Sequence, residues 1–374
     1  MNAVDSDATG TVTQPATPAQ DAGATSTTAT SATRAPTVDA VAEVDEVEAI
    51  DVIDTHTAGE PTRVITGGLP EIRGETMAQR KEDLRDRLDH LRTAAICEPR
   101  GHADMFGSVI LPPCLPEADL GVVFMDGGGY LNMCGHGTIA TVTAALSTGI
   151  IEAREPVTPV VLDTPAGIVH TEARVEGSRV CSVSFTNVPA FVERLDVRTE
   201  VEGLPVVLDI AFGGSFFAIV RARELGVRVR PEDLPLLRRR ALLLRERLNA
   251  EIAVRHPLQP HIASVDLVEV YEETPEGVRN VVVFGRGQVD RSPCGTGTCA
   301  KLAVLHARGR LAVGDELSHE SILGTRFRGE ILGTTTVTDR PAIIPRITAA
   351  AHITAFNRLV LDPHDPLRHG FVLQ

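Results

Sequence analysis

Cys134-Gly135-His136-Gly137-Thr138 and, in the second half of the chain, Cys294-Gly295-Thr296-Gly297-Thr298 are two spellings of one phrase, and Ala140 and Ala300 continue the match. Each is followed by a stretch able to form a helix, Ile139 to Leu146 and Cys299 to Ala307. A cysteine in a glycine-rich turn that opens a helix has its sulfur beside unpaired backbone N–H groups and the positive end of the helix dipole, which favours thiolate. Two such turns predict a duplicated fold whose halves meet with two sulfurs facing one pocket. A thiolate on one side of a carbon and a thiol on the other can remove a proton and replace it on the opposite face.

The surroundings of the two phrases also repeat. Val122 to Met125 reads as a buried strand, Asp126-Gly127-Gly128-Gly129 as the turn beyond it, and the first cysteine follows. Asn280-Val281-Val282-Val283-Phe284 and Gly285-Arg286-Gly287 lead in the same way to Cys294. The stretch from Thr138 to Leu146 has no charged residue, which suits a helix buried on all sides. Upstream, Ala49 to Asp54 predicts a strand that delivers Thr55 to Glu60 as a loop. The spacing of Met77, Leu84, Leu88 and Leu91 predicts one amphipathic helix ending before Thr93. Leu234, Leu237, Ala241, Leu244, Leu248 and Ile252 mark one face of a long helix opened by Pro231. Its arginines, Arg238 to Arg240 with Arg245 and Arg247, read as a solvated face rather than an anion site.

Composition narrows the function. The chain has 374 residues, enough for about two domains. Its net charge of −14, with no Trp and two Tyr, argues against a nucleic-acid surface or base-stacking platform. No apolar run reaches the roughly 20 residues needed to cross a bilayer. Six cysteines without a disulfide pattern, and no secretory signal, predict a soluble cytoplasmic protein. Residues 1–45, rich in Ala, Thr, Ser, Pro and Asp, are expected to be a disordered tail. Residues 46–190, completed by 356–374, are expected to form one half of the fold, and 191–355 the other.

Met133-Cys134-Gly135-His136-Gly137 and Asp290-Arg291-Ser292-Pro293-Cys294-Gly295-Thr296-Gly297 resemble the two signature motifs of the proline racemase family, which includes hydroxyproline 2-epimerases. The resemblance extends to Asp54–Glu60, Arg100–His102, Asp104–Ser108, Phe212–Phe217 and Glu320–Gly324. It implies an α/β fold like diaminopimelate epimerase, with two pseudo-symmetric halves. Each half wraps a β-sheet around a central apolar helix, and the active site lies in the cleft between them. It also implies a cofactor-free racemase, a homodimer with Cys134 and Cys294 as its two bases, acting on proline or, alternatively, on 4-hydroxyproline. Gly135, His136, Gly295 and Thr296 would hold the substrate, with Asp290 and His136 at the ring nitrogen and Phe106 and Phe284 clasping the ring. Family epimerases commonly place a histidine where this chain has Leu267, so an apolar wall favours proline. Relatives that dehydrate trans-3-hydroxyproline typically replace the second cysteine with Thr or Ser, and Cys294 argues against that reaction.

Rival readings of the same residues are weaker. Pyridoxal chemistry needs a lysine, and neither of the two present, Lys81 and Lys301, has an evident phosphate loop nearby. A metal site on Cys134, His136, Cys294 and Cys299 lacks any Cys-x-x-Cys pair. A catalytically silent or thiol-redox binding protein would not explain the retention of both cysteines with Asp290 and His136. Cys97, Cys114 and Cys181 read as buried small hydrophobes, and Cys299 as packing. His56 and His102 read either as lining a site or as capping loops.

Overall fold

The computed structural model describes residues 48–373. The expected tail, residues 1–45, lies outside them. In the first half, β1 (Glu48–Thr57) and β2 (Glu60–Gly67) form a hairpin. After helices α1 (Met77–Arg87) and α2 (Asp89–Ile96), β3 (Phe106–Leu111) runs parallel to β2. β4 (Leu120–Asp126) returns antiparallel, β5 (Gly129–Leu131) folds back on it, and α3 (Gly135–Ser147) follows. β6 (Val157–Thr164) then pairs parallel with β4, and β7 (Gly167–Glu176) and β8 (Arg179–Thr186) complete the wrap.

The second half repeats this plan. β9 (Ala190–Val201) flanks β10 (Leu204–Phe212), which turns into β11 (Phe216–Arg221). Helix α4 (Leu234–Glu251) precedes β12 (Val265–Thr274), which is parallel to β11; β13 (Gly277–Phe284) and β14 (Gln288–Asp290) lead into α5 (Gly295–Ala307). β15 (Glu316–Ser321) pairs parallel with β13, followed by β16 (Arg326–Val337) and β17 (Arg340–Ala349). β18 (Ala351–Leu361) crosses back to flank β1, as β9 flanks β10. The halves are sewn together where β8 pairs with β17, from Val183↔Ala349 to Thr186↔Arg346.

The two central helices are buried along their lengths, and one apolar cluster joins Ile139, Val142 and Leu146 of α3 to Leu302 and Leu305 of α5. The single helix expected across Met77 to Leu91 is instead two. Leu88, with φ −122° and ψ 15°, leaves helical geometry, caps α1 and starts α2. That break lets Leu88 and Leu91 both enter the core against β3 and β4. On α4 the arginines are paired: Arg239 and Arg240 with Glu202, Arg247 with Glu251, and Arg245 with the carbonyls of Asp266 and Gly285. No helix among the described residues is long and apolar enough to cross a membrane.

Candidate active site

Both helices begin at a cysteine. Cys134 is the N-cap of α3 and Cys294 the N-cap of α5, and each sulfur lies close to the glycine three residues on, Gly137 and Gly297, whose N–H favours thiolate. The helix starts meet head to head. A Cβ built on Gly135 would lie 3.4 Å from Gly295 Cα and 3.0 Å from Phe185 Cζ, so glycine allows this approach without displacing the Phe185 ring. Two sets of unpaired helix N-terminal amides therefore converge on one locus, an arrangement that suits an anion.

The anchoring of the two turns differs. In the first, the Thr57 hydroxyl donates to the His136 carbonyl at 3.0 Å. The Cys134 sulfur lies 3.4 Å from His136 Nδ1, and the His136 ring stands edge-on to Phe106 at 4.5 Å. In the second, Cys294 sits in the left-handed region at φ 64°, a conformation costing about 1–3 kcal/mol in a residue with a side chain. Its surroundings enforce it. Ser292 Oγ accepts from Cys294 N at 3.1 Å, the Asn280 amide donates to the Pro293 carbonyl at 2.9 Å, and the Thr298 hydroxyl donates to the Cys294 carbonyl at 2.7 Å.

Asp290 is buried at the end of β14, and its Oδ1 accepts from Ser292 N at 2.8 Å and from Ser292 Oγ at 2.7 Å. Its charge bears on both thiols and on His136. Phe106 and the half-buried Phe284 lie 5.8 Å apart, ring to ring. Leu267, on β12, is partly buried against the same core cluster. The Thr296 hydroxyl lies 3.6 Å from the Cys294 sulfur.

The thiolate expectation needs a correction. Burial pushes both thiols up: Cys134 and Cys294 are 8% and 6% exposed, and loss of solvent outweighs the N–H groups of Gly137 and Gly297. The carboxylate of Asp290 adds to the rise at both. Cys299 is fully buried with its sulfur accepting from the Asn187 amide at 3.2 Å. His56 and His102 cap loops, their Nδ1 atoms each accepting a backbone N–H at 3.2 Å, from Gly59 and Asp104.

Glu60 escaped the sequence reading as a site residue; the stretch expected as a loop, Thr55 to Glu60, is the tip of the β1–β2 hairpin, with Thr55 to Thr57 in β1 and Glu60 opening β2. Its carboxyl is fully buried, and Oε2 accepts from Arg291 N at 2.6 Å, beside Asp290. Phe185 and Ser292 were likewise missed. Phe185 is remote from both phrases in sequence, and Ser292 carries no signal beyond its place in the motif.

The model of the family described as proline racemase matches residues 52–372. The proline racemase of Clostridioides difficile is 54% identical over 324 residues, covering 86% of this chain and 97% of that protein. The chain belongs to the proline racemase family. Proline racemase A of Trypanosoma cruzi is 46% identical over 344 residues, 85% of this chain and 81% of that one. A crystal structure of a hydroxyproline epimerase from Agrobacterium vitis, with bound trans-4-hydroxy-L-proline, superposes with a TM-score of 0.80 at 37% identity. It covers 87% of this chain and 95% of that one. The fold of two pseudo-symmetric α/β halves around central helices is thus that of the family.

Proposed function

We propose that the protein interconverts L- and D-proline by moving the Cα proton between Cys134 and Cys294. The observation that carries this reading is the head-to-head meeting of two helix N-termini at Gly135 and Gly295, each with a cysteine at its cap. The amides of Gly135, His136, Gly295 and Thr296 receive the substrate carboxylate, where negative charge builds as the α-proton leaves. Asp290 and His136 take the ring nitrogen, and Phe106, Phe284 and Leu267 form apolar walls around the ring. One sulfur, as thiolate, takes the proton from one face, and the other, as thiol, delivers its own to the opposite face. The roles exchange in the reverse reaction, and the chemistry calls for no cofactor.

The raised thiols fit this cycle. The Asp290 carboxylate holds protons on both sulfurs, and a bound ammonium beside Asp290 cancels that charge. Substrate binding therefore lowers the proton affinity of the thiols at the moment one must ionise. Two facing thiolates would repel, so the pair titrates as a unit. The reading carries with it a cytoplasmic homodimer.

The hydroxyproline bound in the Agrobacterium vitis enzyme favours a second reading, 4-hydroxyproline 2-epimerisation by the same two cysteines. A chiral assay in deuterium oxide against L-proline, D-proline, trans-4-hydroxy-L-proline and trans-3-hydroxy-L-proline separates the two. Proline should racemise with deuterium at Cα. Cys134→Ser and Cys294→Ser should each lower turnover by about 10²–10⁴-fold or more, because a hydroxyl is too weak a base, while Cys299→Ser keeps most activity. No exchange into proline, or full activity in Cys134→Ser, would overturn the assignment.

A further inference from the structure

The two halves share a backbone plan but differ in what lies behind each cysteine. Register makes the comparison exact enough to name counterparts. Ser108 opposes Phe124 across β3 and β4, as Glu269 opposes Val282 across β12 and β13. Thr141 and Lys301 hold the same place relative to Cys134 and Cys294. Leu162 of β6 pairs with Leu120 of β4, as His319 of β15 pairs with Val278 of β13. Behind Cys134 the set is neutral, and the Ser108 and Thr141 hydroxyls bond each other at 2.8 Å. Behind Cys294 it is Glu269, Lys301 and His319, all three buried.

This second set connects to the sulfur. A Cβ on Gly297 would lie 3.1 Å from Glu269 Oε2 and 3.3 Å from Cys294 Sγ, so a glycine hydrogen is all that fills the space between carboxyl and thiol. Thr298 Oγ1 donates to the Cys294 carbonyl at 2.7 Å and lies 2.8 Å from His319 Nδ1. With the hydroxyl proton committed to that carbonyl, Nδ1 is the donor and carries the imidazole proton. His319 Nε2 is then bare, has no hydrogen-bond partner, and faces Glu269 Oε1 at 3.6 Å. Neither oxygen of Glu269 has a hydrogen-bond partner. A bare ring nitrogen opposite an unpartnered carboxyl calls for a protonated acid at neutral pH.

We propose that Glu269, Lys301 and His319 form a positioning cluster that sets the proton affinity of Cys294, and not of Cys134, from behind the second helix. This rests on the reading of the two cysteines as the bases. Burial raises Glu269 to about 8 and lowers Lys301 to about 7, each resisting its charged form, while His319, lowered to about 3, stays neutral. As pH rises from about 6 to about 9 the cluster passes from one positive to one negative charge, whichever of the two gives up its proton first. The other groups bearing on Lys301 are Asp209, Arg221 and Arg310, with Tyr271 beneath its ammonium and Glu273 beyond. Thiolate at Cys294 is thus favoured at the acid end and opposed at the alkaline end, relative to Cys134.

The test is competitive alkylation of the full-length protein with iodoacetamide, each cysteine quantified by mass spectrometry between pH 6 and 9. The ratio of Cys294 to Cys134 labelling should fall about ten-fold or more across that range. Glu269→Gln and Lys301→Met should each flatten the fall, and the double variant should abolish it. A flat ratio in the unmodified protein overturns the proposal, even if the variants fail to fold. So does a Glu269→Gln protein with lowered melting temperature but an unchanged slope, the signature of a purely structural role. Labelling does not depend on turnover, so failure here is distinct from failure of the two-base reading, which would appear as racemisation surviving Cys294→Ser.

Discussion

On the proposed function, Leu267 is the side chain that would select between proline and its hydroxylated relative. It is half-buried on β12, in register with Phe217, and the pseudo-symmetry that relates Ser108 to Glu269 relates Phe106 to Leu267. Both positions are apolar, and Leu267 packs against the same core cluster as Phe284. A ring hydroxyl buried against such walls without a partner costs about 1–3 kcal/mol. Proline should therefore be preferred over trans-4-hydroxy-L-proline by about ten- to hundred-fold in kcat/KM. Leu267→His supplies a donor and should narrow or reverse that ratio in steady-state kinetics on the two substrates. If the variant only melts earlier and keeps the preference, Leu267 is a core residue and nothing more.

At the scale of elements, the proposed site centres on two helix starts. α3 and α5 are buried on all sides, and their starting glycines touch across Phe185. A methyl group at Gly135 would press on Phe185 at 3.0 Å and meet Gly295 Cα at 3.4 Å, whereas one at Gly295 would make ordinary contacts at 3.5 Å. Gly135→Ala should cost about 1–3 kcal/mol of stability by overpacking and spread the two sulfurs apart. Gly333, whose Cβ position meets nothing within 4 Å, is the control. Thermal unfolding and racemase activity should both drop for Gly135→Ala and stay near the unmodified values for Gly333→Ala. Equal behaviour of the two variants would show that close approach of the helices is not required.

Across the whole molecule, contacts from one half to the other close over the site. Arg291 N donates to Glu60, the Thr325 hydroxyl donates to the Ala58 carbonyl at 2.7 Å, the Gln288 amide donates to the Ala103 carbonyl at 3.0 Å, and Arg291 pairs with Asp104 at 2.9 Å. The fold also buries Glu269 inside the second half, and that has a consequence for stability against pH. Glu269 is raised in the fold from 4.5 to about 8. Between those values the unfolded chain has released this proton while the folded protein keeps it, so the contribution of Glu269 is full below 4.5 and is lost as pH climbs towards 8. Lys301, lowered from 10.5 to about 7, acts with the opposite sign above 7. Below about pH 6.5 His319, lowered from 6.5 to about 3, also acts with the opposite sign, so the Glu269 contribution is read as the difference between the unmodified protein and a variant that lacks the carboxyl. From pH 5 to 7 the melting temperature of the unmodified protein should fall relative to that of Glu269→Gln. Parallel curves would mean that Glu269 is ionised in the fold.

The repeated cysteine phrase, the glycines around it and the uncharged run after Cys134 were enough to announce duplication, helix starts and buried central helices. These are local properties: a glycine turn and an apolar run dictate their own geometry wherever they fold. The strands before each cysteine, the long helix from Leu234 and the solvated character of its arginines were legible for the same reason. The break at Leu88 was not, because apolar spacing continues through it and only packing against β3 and β4 decides that the chain must turn. Nor could the sequence say that burial outweighs the helix ends at the two sulfurs, since solvent exposure is a property of the assembled halves. Glu60, Phe185 and Glu269 look ordinary in the chain. Tertiary structure alone carries Glu60 across to Arg291, sets Phe185 beneath both glycines, and leaves Glu269 behind Cys294 with no counterpart charge behind Cys134.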